Sequence, residues 1–488
     1  MTLLTLIPFF GALIVALLPS QRAGRVLGLA FMLGTLGVTI ALTFGYDRAA
    51  GGIQFIEYHD WIPSLHVQYF VGADGLSLML LILTALVTPF AMLSAGPDIS
   101  KLQVTLILLL ETTILGTFTA LNFIHWFLFY ELSLVPAFLL IRSAGTQSST
   151  TAALRFFIYT LLGGLAMLVG FLAIQLATGT FDLISLAAKG PLLDSDLAKH
   201  FGWPSAGLLV FCCIFFGLAV KVPVVPFHTW LPDAYAEAPS SVTMLLTGLT
   251  SKMGVYGFLR LLVPLFPQRM QELATPLLWL ALATIILSAF TALAQTDLKR
   301  ILAYSSINHL GYCLLGIFAV AAVPLGAPAA RAAAANGVLL QIFNHGLTAS
   351  ALFCFVGFIE RRSGGLRGLG DFGGLRTAAP VLAGLMGIAL FSSLGLPGLN
   401  GFVGEFLIFS GSFQLVWWAP SLAAIGLFVT AVFILNIIQK VFTGPLPDRW
   451  AKFPDLTPGE IATVAPAVAI MFVLGIYPQL LIALFNKP

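Results

Sequence analysis

The chain has 488 residues, of which 9% are charged and 59% are hydrophobic, and its formal net charge is +3. Soluble proteins carry about 25% charged residues, and a mean hydropathy of +1.00 is too high for a chain surrounded by water. These values exclude a soluble enzyme, a nucleic-acid-binding protein and a disordered protein. We therefore expect the lipid bilayer to surround most of the chain, and we expect no nucleic acid as a partner.

Fourteen apolar segments follow one another along the sequence, most of them close to the roughly 20 residues that cross a bilayer core. The first lacks a basic leader and is interpreted as a membrane span, not as a removed signal peptide. The predicted fold is an all-α polytopic membrane protein with about 14 transmembrane helices. The predicted spans are 3–18, 26–45, 73–94, 102–120, 123–141, 156–178, 206–221, 241–264, 275–294, 301–322, 337–358, 380–410, 422–443 and 461–485.

The basic residues of the loops predict the orientation. Loops after odd-numbered spans, counted with Lys440 near the end of the thirteenth span, hold 14 Lys and Arg residues. Loops after even-numbered spans, counted with Arg260 near the end of the eighth, hold 6. The excess marks the cytoplasmic side, so both termini are predicted on the outer, periplasmic face. The two longest loops, 46–72 and 179–205, are then also outside.

Two spans are interrupted by proline and glycine, and their spacing indicates an internal repeat. The seventh, Lys221-Val-Pro-Val-Val-Pro226, and the twelfth, Gly395-Leu-Pro-Gly-Leu-Asn-Gly401, break at leading prolines 223 and 397. The fourth and ninth spans, which begin at 102 and 275, are separated by almost the same length of chain as these prolines. Two five-helix units are predicted, the second inverted because five is odd. Matched broken helices in inverted repeats indicate an ion or substrate path, although two ordinary proline kinks are the alternative.

This repeat divides the chain into four parts. Residues 1–101 hold three N-terminal spans, 102–264 the first unit, 265–443 the second, inverted unit, and 444–488 a C-terminal span.

Five ionisable residues fall inside the spans and away from the loops, where a charge at the bilayer centre costs at least about 2.5–3.5 kcal/mol on insertion scales. They are Glu111, Glu131, Lys221, Lys252 and Glu405. Lys221 lies at the first break and Glu405 follows the second. So many charges in apolar helices indicate a function, and the predicted function is proton transfer.

The residue types fit a proton relay parallel to the membrane plane. Burial disfavours the charged forms of Glu131 and Lys221 whereas their pairing favours them, so the pair can change its charge state. His309 and His345 lie on spans of the second unit, and an imidazole can donate with one nitrogen and accept with the other.

Structural alternatives exist at each position. Glu131 and Lys221 can form a static ion pair, and Lys252 can be a structural lysine without an obvious local partner. Glu405 can cap amides freed at the break, and Glu111 can serve helix packing. Both histidines can be satisfied core residues, and Asp74 is interpreted as a helix N-terminal charge, not as a relay member.

No redox cofactor is predicted in this chain. The segment Gly368–Gly373 matches GxGxxG but follows a membrane span instead of a β-strand, so it is interpreted as a loop. The four cysteines lack the spacing of a disulfide framework, a metal site, an iron–sulfur cluster or a c-type haem.

Several longer motifs resemble a known family. The segment from Val220 to Pro239, VKVPVVPFHTWLPDAYAEAP, and the following LLTGLTSKMG are the most specific. With TDLKRILAYSSINHLGY and LPGLNGFVGEF, they resemble the antiporter-like membrane subunits of respiratory complex I. The same family includes Mrp-type cation/proton antiporter subunits and membrane subunits of energy-converting hydrogenases.

The resemblance implies roles for individual residues. Glu131 and Lys221 resemble the family's coupling pair, and Lys252 its central lysine. Glu405 resembles the residue linked to proton exit, and it stands where other members of the complex carry lysine. Histidines 309 and 345 match positions that hold a water wire, and Glu111 matches a fourth-helix glutamate.

The implied function is proton translocation in NADH–quinone oxidoreductase, coupled to quinone reduction in other subunits. NADH, FMN, iron–sulfur clusters and quinone are then expected in partner subunits, and neighbouring antiporter-like subunits are the expected partners. The implied location is a bacterial inner membrane. An Mrp-type antiporter subunit, a hydrogenase membrane subunit and a purely structural scaffold remain alternatives.

Overall fold

A computed structural model describes residues 1–65, 67–97 and 99–485, most of which form helices. Within these ranges, ten helices are long and apolar enough to cross a membrane, or eleven if one bent pair is a single span. That pair, Leu183–Phe201 and Ala206–Lys221, bends by 116°. The prediction of an integral membrane protein made mostly of helices is confirmed.

The N-terminal part holds three helices and a β-hairpin, which lies between the second and third helices. The bounds are α1 Thr2–Leu17, α2 Gln21–Gly45, β1 Gln54–Ile62, a 3₁₀ turn Pro63–Leu65, β2 Val67–Ala73 and α3 Gly75–Ser94.

The next part is rich in interrupted helices. It comprises α4 Lys101–Thr119, α5 Phe123–Leu132, α6 Leu134–Arg142, α7 Gln147–Thr178, α8 Leu183–Phe201, α9 Ala206–Lys221, α10 Trp230–Glu237, α11 Ser240–Leu245, a π-helical turn Leu246–Thr250, α12 Ser251–Gly257, a second π-helical turn Phe258–Leu262 and α13 Val263–Leu265.

The remaining helices complete the bundle. They are α14 Pro267–Glu272, α15 Ala274–Ala294, α16 Leu298–Ala322, α17 Pro328–Ser363, α18 Leu375–Ala378, α19 Pro380–Leu394, α20 Asn400–Leu415, α21 Trp418–Ile437 with a π-helical turn Ile438–Phe442, α22 Pro458–Ile476 and α23 Gln479–Phe485; 3₁₀ turns span Leu369–Asp371 and Asp448–Trp450.

Short polar residues fix where the long helices begin. Ser100 and Gln103 form a capping box at α4, and Thr457 and Glu460 form another at α22. Asp297 accepts a hydrogen bond from the backbone N–H of Arg300 at the start of α16. Such caps satisfy amides that have no partner within the first helical turn.

Helix α17 lies at the centre of the bundle, packed against α3, α11, α16 and α20. Its most apolar 18-residue stretch is buried throughout, whereas the corresponding stretch of α2 is 22% buried. Polar side chains on α17 are therefore shielded from the surroundings and must find partners on neighbouring helices.

The two segments predicted as long loops contain regular secondary structure. Strands β1 and β2 form an antiparallel hairpin, so the description "all-α" is incomplete. Segment 179–205 contains the 19-residue helix α8. The hairpin joins the bundle where the N–H of Leu121 donates to Phe70 O at 2.9 Å, a long-range contact that local sequence patterns do not reveal.

A cluster of ion pairs joins several elements at one end of the bundle. Lys299 Nζ lies 3.0 Å from Glu360 Oε2, and Arg367 Nε lies 2.5 Å from Asp297 Oδ2. Arg367 also lies 3.5 Å from Glu237. These pairs connect the ends of α10 and α17 with the start of α16, so they hold α10, the helix after the break at Lys221, against α16 and α17.

Asp74 has two partners just before the start of α3. Its Oδ1 accepts from the backbone N–H of Ser77 at 3.0 Å and from Arg260 Nη2 at 2.6 Å. Burial acts to raise the pKa of Asp74, but the Arg260 guanidinium and these hydrogen bonds outweigh it and lower the pKa below its usual 3.8. This geometry is consistent with the predicted role of Asp74 as a helix N-terminal charge. The sequence analysis did not predict Arg260 as its partner.

We expect Asp74→Ala to destabilise the protein by about 1 kcal/mol more than Asp74→Asn, because asparagine keeps the helix cap. Asp74→Asn itself loses only the ion pair, roughly 1 kcal/mol for partly exposed groups. The lowered pKa means that this ion-pair contribution is present above the unfolded-state pKa and disappears as the pH falls through the folded-state value. Thermal unfolding in detergent measures both effects, and equal losses for the two variants would contradict the capping role.

Candidate functional site

The break in the seventh span leaves backbone groups that other elements satisfy. Helix α9 ends at Lys221, and the next helix, α10, begins at Trp230. The N–H of Val225 donates to Thr284 Oγ1 at 3.1 Å, and Trp230 Nε1 donates to Val220 O at 3.0 Å. The break is therefore held in one conformation by contacts from within the bundle.

Lys221 is buried at the end of α9. Its Nζ lies 4.8 Å from the centroid of the Tyr130 ring, a cation–π distance. Among the described residues, its Nζ has no hydrogen-bond partner. A Cβ on Gly254 would lie 2.6 Å from Val222 Cγ2 and 3.2 Å from Lys221 Cβ, so only glycine lets α12 pack this closely against the break.

Glu131 is half-buried in the last turn of α5, just before the irregular residue Ser133. Its carboxylate packs directly on Gly164 of α7, where any Cβ would overlap Oε1. Within the described ranges, neither carboxylate oxygen has a hydrogen-bond partner. Within the described ranges, Glu131 and Lys221 also do not approach each other within the 4.0 Å of a salt bridge, so the predicted ion pair is not formed in this structure. Lys221 Nζ lies over the ring of Tyr130, the residue that directly precedes Glu131 in sequence.

Glu111 is fully buried on α4. Neither of its oxygens has a hydrogen-bond partner in the part of the chain that the structure describes. No described contact joins it to the other candidate residues.

Lys252 is completely buried and follows the π-helical turn Leu246–Thr250. Its Nζ donates to Thr247 O at 2.5 Å and contacts His345 Nδ1 at 2.7 Å. A π-helical turn shifts the backbone pairing by one residue, which exposes carbonyls to side chains. The turn therefore supplies an acceptor for an ammonium that forms no salt bridge with any described residue.

The contact with Lys252 fixes the expected tautomer of His345. An ammonium has only hydrogen-bond donors, so Nδ1 of a neutral His345 must be the acceptor and Nε2 must carry the proton. The ring of His345 lies 5.2 Å from that of His309, measured between centroids. The two histidines predicted on separate spans are thus neighbours.

The contacts of His309 favour the opposite tautomer. Its Nδ1 lies 2.9 Å from Glu405 Oε1, and its Nε2 lies 3.1 Å from Ser393 Oγ. A carboxylate only accepts, so Nδ1 carries the proton and Nε2 can accept from the Ser393 hydroxyl. Gln341 Nε2 also donates to Glu405 Oε1, at 3.2 Å. Glu405 is therefore held from two helices, α16 and α17.

Side chains of α17 also hold the break in the twelfth span. Asn344 Nδ2 donates to Asn400 O at 2.7 Å, and Ser392 Oγ donates to Asn400 Oδ1 at 2.6 Å. Gly395 adopts a φ of 81°, a conformation that favours glycine, where α19 ends. The break thus carries a polar cluster instead of exposed backbone.

A small cavity of about 10 Å³ lies between these groups, with room for roughly one water molecule. It is lined by His309, Gln341, Asn344, His345, Thr348, Ser392, Ser393, Gly401 and Glu405. Both histidines and the carboxylate therefore face the same polar space. Over the described ranges, no group of three or more His, Cys, Asp or Glu side chains could hold a metal ion.

The structure brings four of the seven predicted residues into one row: Lys252, His345, His309 and Glu405. It does not join Glu111, Glu131 and Lys221 to that row by direct contacts. Sequence reasoning missed Gln341, Asn344 and Thr348. With His345, these residues are spaced three and four apart on α17, so the polar stripe they form was a usable signal.

Known proteins resemble this chain in sequence along most of its length. The family described as NADH:quinone oxidoreductase/Mrp antiporter, transmembrane region, matches residues 120–433. NADH-quinone oxidoreductase subunit M of Rhodobacter capsulatus is 35% identical, covering 98% of this chain and 93% of that protein. The subunit M of Mycobacterium tuberculosis is 30% identical, covering 100% and 92%.

Two solved structures share the fold over nearly the whole chain. A chain of respiratory complex I from Thermus thermophilus has 29% identity and a TM-score of 0.85, covering 99% of this chain and 97% of that one. A chain of the Mrp complex from Dietzia has 23% identity and a TM-score of 0.83, covering 99% and 96%. The second likeness concerns the fold alone.

We expect Asn400→Ala to lower the unfolding free energy by about 1–2 kcal/mol, because it removes the Ser392 contact and weakens the junction with α17. The estimate uses roughly 0.6 kcal/mol for each interhelical hydrogen bond in a membrane protein. Thermal unfolding in detergent checks it, with Ser421→Ala as control because Ser421 bonds only within its own helix. Equal effects of both substitutions would argue against the junction.

Proposed function

This chain belongs to the NADH:quinone oxidoreductase/Mrp antiporter family, and we propose that it is the proton-translocating M subunit of an NADH–quinone oxidoreductase. The curated relatives with that name align over nearly their full length, which favours this reading over an Mrp antiporter. The single observation that carries the mechanism is the row of contacts from Lys252 through two histidines to Glu405.

Proton transfer along the row can proceed in three steps. The Lys252 ammonium gives a proton to Nδ1 of His345, and His345 releases its Nε2 proton towards the small cavity. His309 takes up a proton at Nε2, which faces the Ser393 hydroxyl, and passes its Nδ1 proton to Glu405. The ammonium becomes an amine and the carboxylate becomes a carboxylic acid, so one proton moves from α12 of the first unit to α20 of the second without a net change in protons.

Residues of the first unit act in this proposal through their charge, not through a direct bond. Lys221 and Glu131 lack hydrogen-bond partners among the described residues, so little fixes their protonation state. A change in charge on either alters the field at Lys252, because α9 packs against α12 through Gly254. In a water-poor interior such a field acts over longer distances than in water. Glu111, similarly buried, adds a third group of this kind.

The proposal also includes the architecture that the sequence predicts. Fourteen spans are counted if four further segments are added to the ten candidate helices. These segments are α1, the pair α9 and α10, the series α11, α12 and α13, and the pair α19 and α20. The starts of α4 and α15, at Lys101 and Ala274, are as far apart in the chain as the ends of α9 and α19, at Lys221 and Leu394. This equal spacing supports inverted units at 102–264 and 265–443, flanked by 1–101 and 444–488.

The proposed setting is a bacterial inner membrane, with both termini on the periplasmic face. The redox cofactors, namely NADH, FMN, iron–sulfur clusters and quinone, then belong to partner subunits, and other antiporter-like subunits lie beside this chain. The chain itself contributes the proton path, and the coupling to quinone reduction passes through charges at its edge.

We expect Lys252→Ala and Lys252→Arg both to lower proton transfer through this chain about a hundredfold, since alanine has no proton and arginine does not release one. The test uses assembled complex, identified on a native gel by NADH-dependent dye reduction, and measures protons moved per NADH oxidised in vesicles. Lys452→Ala, at an exposed lysine outside the spans, is the control. Unchanged pumping by assembled Lys252 variants would support a structural scaffold instead.

We expect Gly164→Ala to reduce pumping because the new methyl group displaces the Glu131 carboxylate. Gly163→Ala is the matched control, since its Cβ would meet Val220 and Gly217 at 3.2–3.3 Å but not Glu131. Pumping per NADH oxidised should fall about tenfold or more in the first variant relative to the second. If both variants pump alike, helix packing and not carboxylate position determines the effect.

A further inference from the structure

The side-chain amide of Gln341 contacts both groups that exchange the last proton of the row. Its Nε2 lies 3.2 Å from Glu405 Oε1 and 3.4 Å from His309 Nδ1, and these two atoms are themselves 2.9 Å apart. All three side chains are buried. The three atoms therefore form a triangle inside the protein, and the hydrogen carried by one of them decides which bonds the other two can make.

The carboxylate determines which end of the amide faces it. A carboxylate oxygen only accepts hydrogen bonds, so the nitrogen of the Gln341 amide, and not its oxygen, must face Glu405. The amide oxygen lies against Gly404 of α20, where a Cβ would be only 2.7 Å away. Glycine at this position thus leaves the space that the Gln341 amide occupies between α17 and α20.

Before the transfer, the amide nitrogen has one usable partner in this triangle. His309 Nδ1 carries a hydrogen and Gln341 Nε2 also carries hydrogens, so no hydrogen bond forms between the two nitrogens. Both N–H groups instead point to Glu405 Oε1, whose two lone pairs can accept both of them. In this state the amide stabilises the carboxylate that will receive the proton.

After the transfer, a second partner becomes available to the amide. The N–H bond of His309 Nδ1 breaks, an O–H bond forms on Glu405 Oε1, and Nδ1 is left with one lone pair. Either the new O–H of Glu405 or an N–H of Gln341 can bond to that lone pair, but not both. When Gln341 donates to Nδ1, the Glu405 hydroxyl has no acceptor on the ring, so its proton does not go back. Gln341 keeps its own hydrogens throughout.

We propose that Gln341 is a further catalytic residue of this proton transfer. It changes its hydrogen-bond partner from Glu405 to His309 when the proton moves, and it thereby slows the return of the proton to the ring. The inference rests on the proposed function, because it concerns the direction of the step from His309 to Glu405. The described contacts of Nδ1 are those with Glu405 and Gln341, so no other described side chain is placed to do the same.

The test measures protons moved per NADH oxidised by assembled complex in vesicles, at zero proton gradient and against an imposed one. An opposing gradient favours the return step. Gln341→Met is similar in length but has no N–H, so we expect pumping close to wild type at zero gradient. Against the gradient it should fall about threefold, the effect of losing one interhelical hydrogen bond. Gln341→Asn keeps a polar side chain, but its shorter amide does not reach both partners, so it should show the same loss.

Gln414→Met is the matched control, because Gln414 is exposed on α20 and its amide donates to Ser410 O of the same helix. It should pump like the wild type under both conditions. Equal losses with and without the gradient would mean that Gln341 only packs α17 against α20, and either that result or no loss against the gradient would overturn the proposal. Normal pumping by assembled Lys252→Ala would instead refute the proposed function itself. If Lys252→Ala does not pump while Gln341→Met behaves like Gln414→Met, only the role of Gln341 is wrong.

Discussion

The burial of the Lys252 ammonium is the constraint on which the surrounding structure depends, because the charge needs hydrogen-bond acceptors nearby. An uncompensated charge in a membrane interior is strongly unfavourable, and neither lipid nor bulk water reaches this position. Among the residues that the structure describes, no carboxylate forms a salt bridge with it, so the chain provides a backbone carbonyl from a π-helical turn and an imidazole from α17. The central position of α17, whose most apolar 18-residue stretch is fully buried, fits the same need, because its polar side chains also satisfy the break between α19 and α20.

Buried ionisable groups are held by different contacts in the two halves of the chain. In the second half, side chains are connected by hydrogen bonds, which is the arrangement suited to carrying a proton. Among the described residues of the first half, Glu111, Glu131 and Lys221 are held by packing against rings, glycines and apolar groups. In the proposed function, the groups without hydrogen-bond partners respond to nearby charges, and the bonded row from Lys252 to Glu405 transmits protons.

The sequence predicts the fold well where composition and spacing carry the information. Hydropathy indicates the long helices, and prolines and glycines indicate both breaks. It does not reveal the β-hairpin, because a two-stranded hairpin depends on contacts with Leu121 far along the chain. Lys252, His309, His345 and Glu405 were identified as charges and imidazoles in apolar helices, but their order in space depends on helix packing. The Asp74–Arg260 pair and the contact of Glu131 with Gly164 are equally non-local, and the roles of all the ionisable residues stay predictions.

In the proposed proton transfer, the opposite tautomers of His309 and His345 affect the timing of successive protons. After a proton has passed, each ring carries its hydrogen on the other nitrogen: His345 now presents a donor to Lys252, and His309 presents an acceptor to Glu405. Neither ring can repeat the step until it has rotated or exchanged its hydrogen through the small polar cavity. In the proposed transfer, this reset of both rings must follow each proton, and it separates successive protons in time without a moving helix.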